Sequence, residues 1–134
     1  MKQIIKGAIF YATVHPIGDD KHKYYMPVLV IQSNNCNQLN ETTMVAQIAT
    51  RCYKGKILPI HVAVKQFRKL RPNSIILLDH IFTIEKTELI GYVGMLNSNQ
   101  MREVEKAIQT SMGFFDKYPG INDKIGVKKV WMID

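Results

Sequence analysis

Apolar and polar positions along this chain fall into short blocks, and only one late segment switches to a longer period. Ile4–Val14 (IIKGAIFYATV) is rich in β-branched and aromatic residues and predicts a strand. Pro27–Gln32 (PVLVIQ) is apolar on both alternating faces, the pattern of a strand covered on both sides. Thr42–Thr50 (TTMVAQIAT) predicts a third strand. Leu58–Val64 (LPIHVAV) predicts a fourth, with its proline near the start, where a missing N–H is tolerated. Ser74–Ile84 (SIILLDHIFTI) is long enough to require a bend or bulge, and Thr87–Leu96 holds one more short strand. Val127–Ile133 ends the series as a further candidate strand.

The intervening segments are polar. His15–Tyr25 (HPIGDDKHKYY) carries Pro, Gly and a run of charges and predicts a loop longer than a hairpin needs. Ser33–Glu41 predicts a polar turn, RCYKGKI a basic turn, and Lys65–Asn73 a basic turn or short helix ending at Pro72. The period changes at NSNQMREVEKAIQTSMGFF. There Met101, Val104, Ile108, Met112 and Phe115 recur at three- and four-residue spacing, with Ala107 and Ser111 alongside. That stripe predicts the core face of a helix, opened by an Asn97–Gln100 capping box. Strands dominate and the long helix comes late. The expected fold is mainly β with an appended helix (β+α), a small, strongly twisted antiparallel barrel.

Composition narrows this only slightly. The 134 residues suit one domain, and 46% apolar with 22% charged residues argues against disorder. We expect the barrel and its closing helix over residues 1–116, with 117–134 as a C-terminal extension of the same domain. A net charge of +7 favours a polyanionic partner, or serves solubility alone. Cys36 and Cys52 lack metal-ligand spacing and are expected to be free thiols in a reducing compartment. The N-terminal apolar run is broken by Lys6 and Gly7, too short for export or spanning, so a cytoplasmic protein with no membrane partner is expected.

The order KGAIFYA, PVLVIQ, TMVAQIAT, LPIHVAV, SIILLDHIFTIEK and a closing helix resembles the MazF/PemK (Kid) toxin family over about Lys6 to Asp116. The resemblance implies an SH3-like barrel of the CcdB/MazF/Kid type, a homodimer, and metal-independent endoribonuclease activity on single-stranded RNA without a cofactor. It also implies an antitoxin partner, a small acidic protein whose tail lies across the RNA groove. Such cleavage needs a base for the 2′-hydroxyl, an acid for the leaving oxygen, and donors for the phosphoryl oxygens.

The chain departs from the family pattern at the chemistry. The family's arginine directly before the proline of PVLVIQ is Met26, whose thioether has no N–H and no charge. The threonine position near the end of the third strand falls on Ala49, with Thr50 one place later, where a bulge would be needed to swing it in. Asp79 keeps the acid of LLDHI, while the glutamine after it is His80. Strand alternation would put those two on opposite faces. The expected catalytic set is therefore Asp79, His22, Thr50 and Arg51. Lys21, Lys23, Tyr24, Tyr25, Lys54, Lys56 and His80 are the expected RNA contacts. The lysines would hold phosphate, and the tyrosines would stack bases or pack on the barrel. His15 reads as a turn residue, His61 as structural, and Arg68, Lys69 and Arg71 as a solvated surface. Phe82 stands at a position usually basic, which suggests altered subunit contacts or groove lining. Two functions stay open: a nuclease with a rebuilt site, or a degenerate module that binds nucleic acid, an antitoxin or another protein. A CcdB-like poison of a host enzyme is a third.

Overall fold

The computed structural model describes residues 3–15, 18–50 and 58–118. In chain order these form β1 (Ala8–Val14), β2 (Tyr24–Val30), α1 (Asn34–Leu39), β3 (Thr42–Thr50), β4 (His61–Val64), β5 (Ser74–Glu85), a 3₁₀ turn (Lys86–Glu88), β6 (Leu89–Met95) and α2 (Ser98–Ser111). The strands make one six-stranded sheet in the order β4-β5-β3-β2-β1-β6, with the paired neighbours antiparallel. The sheet curls into a half-barrel, and α2 packs against β4 and β5. This is the architecture that the strand and helix periods predict.

Successive residues of a strand enter different cores because their side chains alternate between faces. One core, under α2, holds Ile9, Leu29, Ile48, Ile76 and Leu78 with Val104 and Ala107 of the helix. The other holds Ala8, Phe10, Ala12, Val28, Val30 and Val45, with Met26, Phe82 and Ile84 partly buried at its margin. The doubly apolar PVLVIQ pattern follows from this: β2 lies between two cores and Val28, Leu29 and Val30 are fully buried.

Several boundaries differ from the sequence-based expectation. β1 starts at Ala8, after a turn that Gly7 makes with a φ of 96°. β2 begins at Tyr24, because Tyr24 and Tyr25 pair with Val14 and Thr13. The β2–β3 ladder reaches only from Val30 to Val28, since Pro27 has no N–H to continue it. Ser33–Glu41 contains a short helix rather than only turns. Ser33 caps α1 by accepting from Cys36 N, and Asn37 anchors it. Asn37 Oδ1 accepts from Gln32 Nε2 (2.9 Å) and Thr43 Oγ1 (2.7 Å), and its Nδ2 donates to Gln32 O (3.0 Å). β4 is shorter than expected, starting at His61, and Lys65–Asn73 forms turns without a helix. The capping box of α2 is present in full, but its stripe ends early: Met112 and Phe115 are exposed. The candidate strand Val127–Ile133 lies outside the described residues.

Candidate functional site

The centre of interest is a break in the β3–β5 register. Gln47 stands opposite Leu77 and Ala46 opposite Ile81, so Leu78, Asp79 and His80 bulge out of β5 with no counterpart on β3. A regular strand would send Asp79 and His80 to opposite faces; the bulge keeps their polar ends near one another. Asp79 Oδ2 is 3.8 Å from His80 Nε2, and Asp79 Oδ1 is 3.3 Å from His61 Nε2 on β4. Asp79 and His80 are solvent-accessible, whereas the His61 side chain is only 7% exposed. Its Nδ1 is buried with no hydrogen-bond partner.

His80 opens into a cleft of about 850 Å³ that also takes in Met26, Gln47, Phe82, His15 and Glu88. Met26 thus shares a cavity with His80. Gln47 is a polar neighbour that the sequence reading does not single out. The loop after β1 sits at the rim. Asp19 Oδ2 meets His22 Nδ1 at 2.6 Å, and Asp19 Oδ1 accepts from the backbone N–H groups of Lys21 (3.0 Å) and His22 (3.2 Å). The hydrogen bond from His22 holds the Asp19 carboxyl below its usual range, helped by those backbone donors. His22 O lies 3.1 Å from His15 Nδ1, which ties this loop to the cleft wall.

Other candidates are placed elsewhere. The β3–β5 register is unbroken from Gln47 to Thr50, so Ala49 stays on the strand face of Gln47 and Thr50 faces the other way. Thr50 borders a separate cleft of about 330 Å³ with Tyr11, Tyr25, Pro27 and Arg71. Tyr25 stacks on Tyr11 (centroids 5.0 Å apart, planes at 18°) and its hydroxyl crosses Gly91, so this ring packs on the sheet. Tyr24 and Tyr25 are both nonetheless exposed, as are Lys21 and Lys23. Arg51, Lys54 and Lys56 lie outside the described residues. His61, read as structural, is buried as that reading has it, but its apolar strand gives no hint of the carboxylate one strand over. Among the described residues no group of three or more His, Cys, Asp and Glu side chains has the geometry to hold a metal, and no helix is long and apolar enough to cross a membrane.

The fold is that of a known group of proteins. The sequence profile of the PemK-like, MazF-like toxin of type II toxin-antitoxin systems matches residues 5–112. An endoribonuclease MazF from Staphylococcus saprophyticus is 34% identical over 109 residues, which span 81% of this chain and 90% of that protein. Solved structures agree in fold. An endoribonuclease in complex with its cognate antitoxin, from a mycobacterial species, superposes with a TM-score of 0.65 at 20% identity, covering 82% of this chain and 95% of that one. MazF from Deinococcus radiodurans gives 0.66 at 16% identity, covering 84% and 99%.

Proposed function

We propose, for a chain that belongs to the PemK-like, MazF-like toxin family of type II toxin–antitoxin systems, that it is an endoribonuclease of single-stranded RNA with a rebuilt catalytic site. The observation that carries this reading is the β5 bulge, which holds Asp79 beside His80 at the edge of the cleft that Met26 lines. The 2′-oxygen attacks the adjacent phosphorus, a P–O bond forms, and the bond to the 5′-oxygen breaks. The 2′-hydroxyl proton passes to the Asp79–His80 pair, and the departing 5′-oxygen takes a proton from His22 or its water. The products are a cyclic phosphate and a 5′-hydroxyl. No cofactor enters this balance. Lys21, Lys23 and Arg51 are the cations proposed to take up the phosphoryl charge in place of the missing arginine, with Lys54 and Lys56 following the backbone. Thr50, on the other strand face, belongs with Tyr24 and Tyr25 on the RNA path and not at the reacting phosphorus. The protein is proposed to work in the cytoplasm as a homodimer, held in check by a small acidic antitoxin.

A second reading has a specific observation behind it. Met26 offers no hydrogen-bond donor to the cleft that holds His80, which favours a degenerate module that binds RNA or a partner without cutting it. Incubating the purified protein in excess with a long single-stranded RNA and mapping ends by primer extension separates the two. Discrete cuts support the nuclease. Intact RNA that is retained and released by salt supports the binder.

A further inference from the structure

His61 looks structural in the sequence: one polar residue in LPIHVAV, on a strand whose Val62 and Val64 are core. Its setting does not fit a filler. A hydrophobic side chain would occupy the position at no polar cost. The imidazole instead buries Nδ1 with no partner, a cost that an apolar side chain would avoid. The gain on the other side of the ring is Asp79, 3.3 Å from Nε2. Nδ1 has no acceptor within reach, so a single ring proton belongs on Nε2, the side that faces Asp79. Other charges near the ring come from α2, where Glu103 and Lys106 line the same shallow cleft. From the sheet side, Asp79 is the charged group that reaches it.

We propose that His61 is a positioning residue, donating its Nε2–H to Asp79 and thereby fixing the carboxylate that stands 3.8 Å from His80 at the cleft. The chain runs from the interior outward: a buried donor, a half-exposed carboxylate, an exposed imidazole. The bulge leaves Asp79 without a backbone counterpart on β3, and its carboxylate lies towards His61 on β4. Asp79 Oδ1 faces His61 and Oδ2 faces His80, so each oxygen has its own imidazole. His80 shares its cleft with His15, Glu85 and Glu88, and Asp79 lies beside it. This inference rests on the ribonuclease reading for its consequence, but not for its geometry.

The test uses the full chain. At about pH 8, where histidines are neutral, long-range nitrogen–proton NMR spectra should show His61 with its proton on Nε2 and a bare Nδ1. A proton on Nδ1 overturns the proposal. The carboxyl-carbon signal of Asp79 should move in His61→Phe and stay near its original position in His61→Gln, whose amide keeps a donor; equal movement in both overturns it. In RNA cleavage, His61→Phe should lower kcat about 10–100-fold with KM little changed, as misplacing a reacting group does, and His61→Gln should restore most of it. Combined with Asp79→Asn, His61→Phe should add no further loss; a multiplied loss overturns the proposal, because His61 would then act other than through Asp79. A wild-type protein that cuts no RNA sinks the nuclease reading alone, and the two NMR measurements still decide the role of His61.

Discussion

Replacing Met26 with arginine probes the departure that bears most directly on activity. Met26 pairs with Ala12 on β1, is partly buried beside the second core, and lines the cleft that contains Gln47, His80 and Phe82. Arginine there would bring up to five N–H donors and a permanent charge to within reach of a phosphate bound at His80. A preorganised donor of this kind is worth about 10²–10³ in rate. Part of that is offset by Glu85 and Glu88 in the same cleft, which would compete for the guanidinium. Glu88 already accepts from Thr13 Oγ1, which leaves Glu85 as the freer competitor. An exposed ion pair costs about 0.2–1 kcal/mol to break, a factor of at most about five. The expected net gain is therefore about 20- to several-hundred-fold. Single-turnover cleavage of a long single-stranded RNA, protein in excess, measures it, with cut positions mapped by primer extension. His80→Gln in the Met26→Arg background should remove most of the gain. A folded Met26→Arg protein that cuts no faster than wild type refutes the reasoning. A comparable rise from any substitution at His61 would show the site to be misplaced.

Three further expectations concern the scaffold and the loop. Asn37→Leu keeps the volume but strips partners from Gln32 and Thr43, and should lower stability by about 2–4 kcal/mol, read as a shifted denaturant midpoint with the slope unchanged. Gly94→Ala would put a Cβ 2.8 Å from Phe67 Cδ1 and nearer still to Cε1, so the ring must move; a loss of about 1–3 kcal/mol is expected in the same assay, and an unchanged midpoint would mean the ring swings out freely. In carboxyl-carbon NMR titrations, Asp19 should titrate below 3.8 and move up towards it in His22→Ala. Because its folded value is lowered, the stabilisation of the loop is fully present above the unfolded value and is lost as pH falls through the folded one; a midpoint that does not respond to His22→Ala contradicts the pairing.

Periodicity reveals what packing dictates, and here it served well. β3 runs over the residues its alternation predicts, and the α2 capping box is built as Asn97 and Gln100 suggest. The elements that escaped are held by polar contacts. α1 has no apolar stripe, since its anchor is one buried asparagine tied to residues on either side of the helix. The Asp79–His80 arrangement depends on a register shift that alternation, by construction, cannot foresee. The same shift lies at Ala46/Gln47, so it leaves Thr50 facing as simple alternation has it. The setting of His61 was opaque for a third reason: the carboxylate it faces is on another strand, and a sequence carries no distance between strands. Met112 and Phe115 keep the helical spacing but extend beyond the sheet that α2 covers.

The position of β1 has a consequence for the life of the chain before it is complete. β1 is flanked by β2 on one side and β6 on the other, and the cleft takes Thr13 and His15 from its end and Glu88 from just before β6. The first strand made at the ribosome therefore waits for nearly the last before its second ladder closes. Non-local pairing of this kind is slow, because loop closure precedes any gain from contact. A nascent chain cut short before Leu89 lacks the strand that covers β1, and with it one wall of the cleft. For a protein whose relatives cleave RNA, this order of assembly leaves the cleft incomplete on the nascent chain until β6 is made.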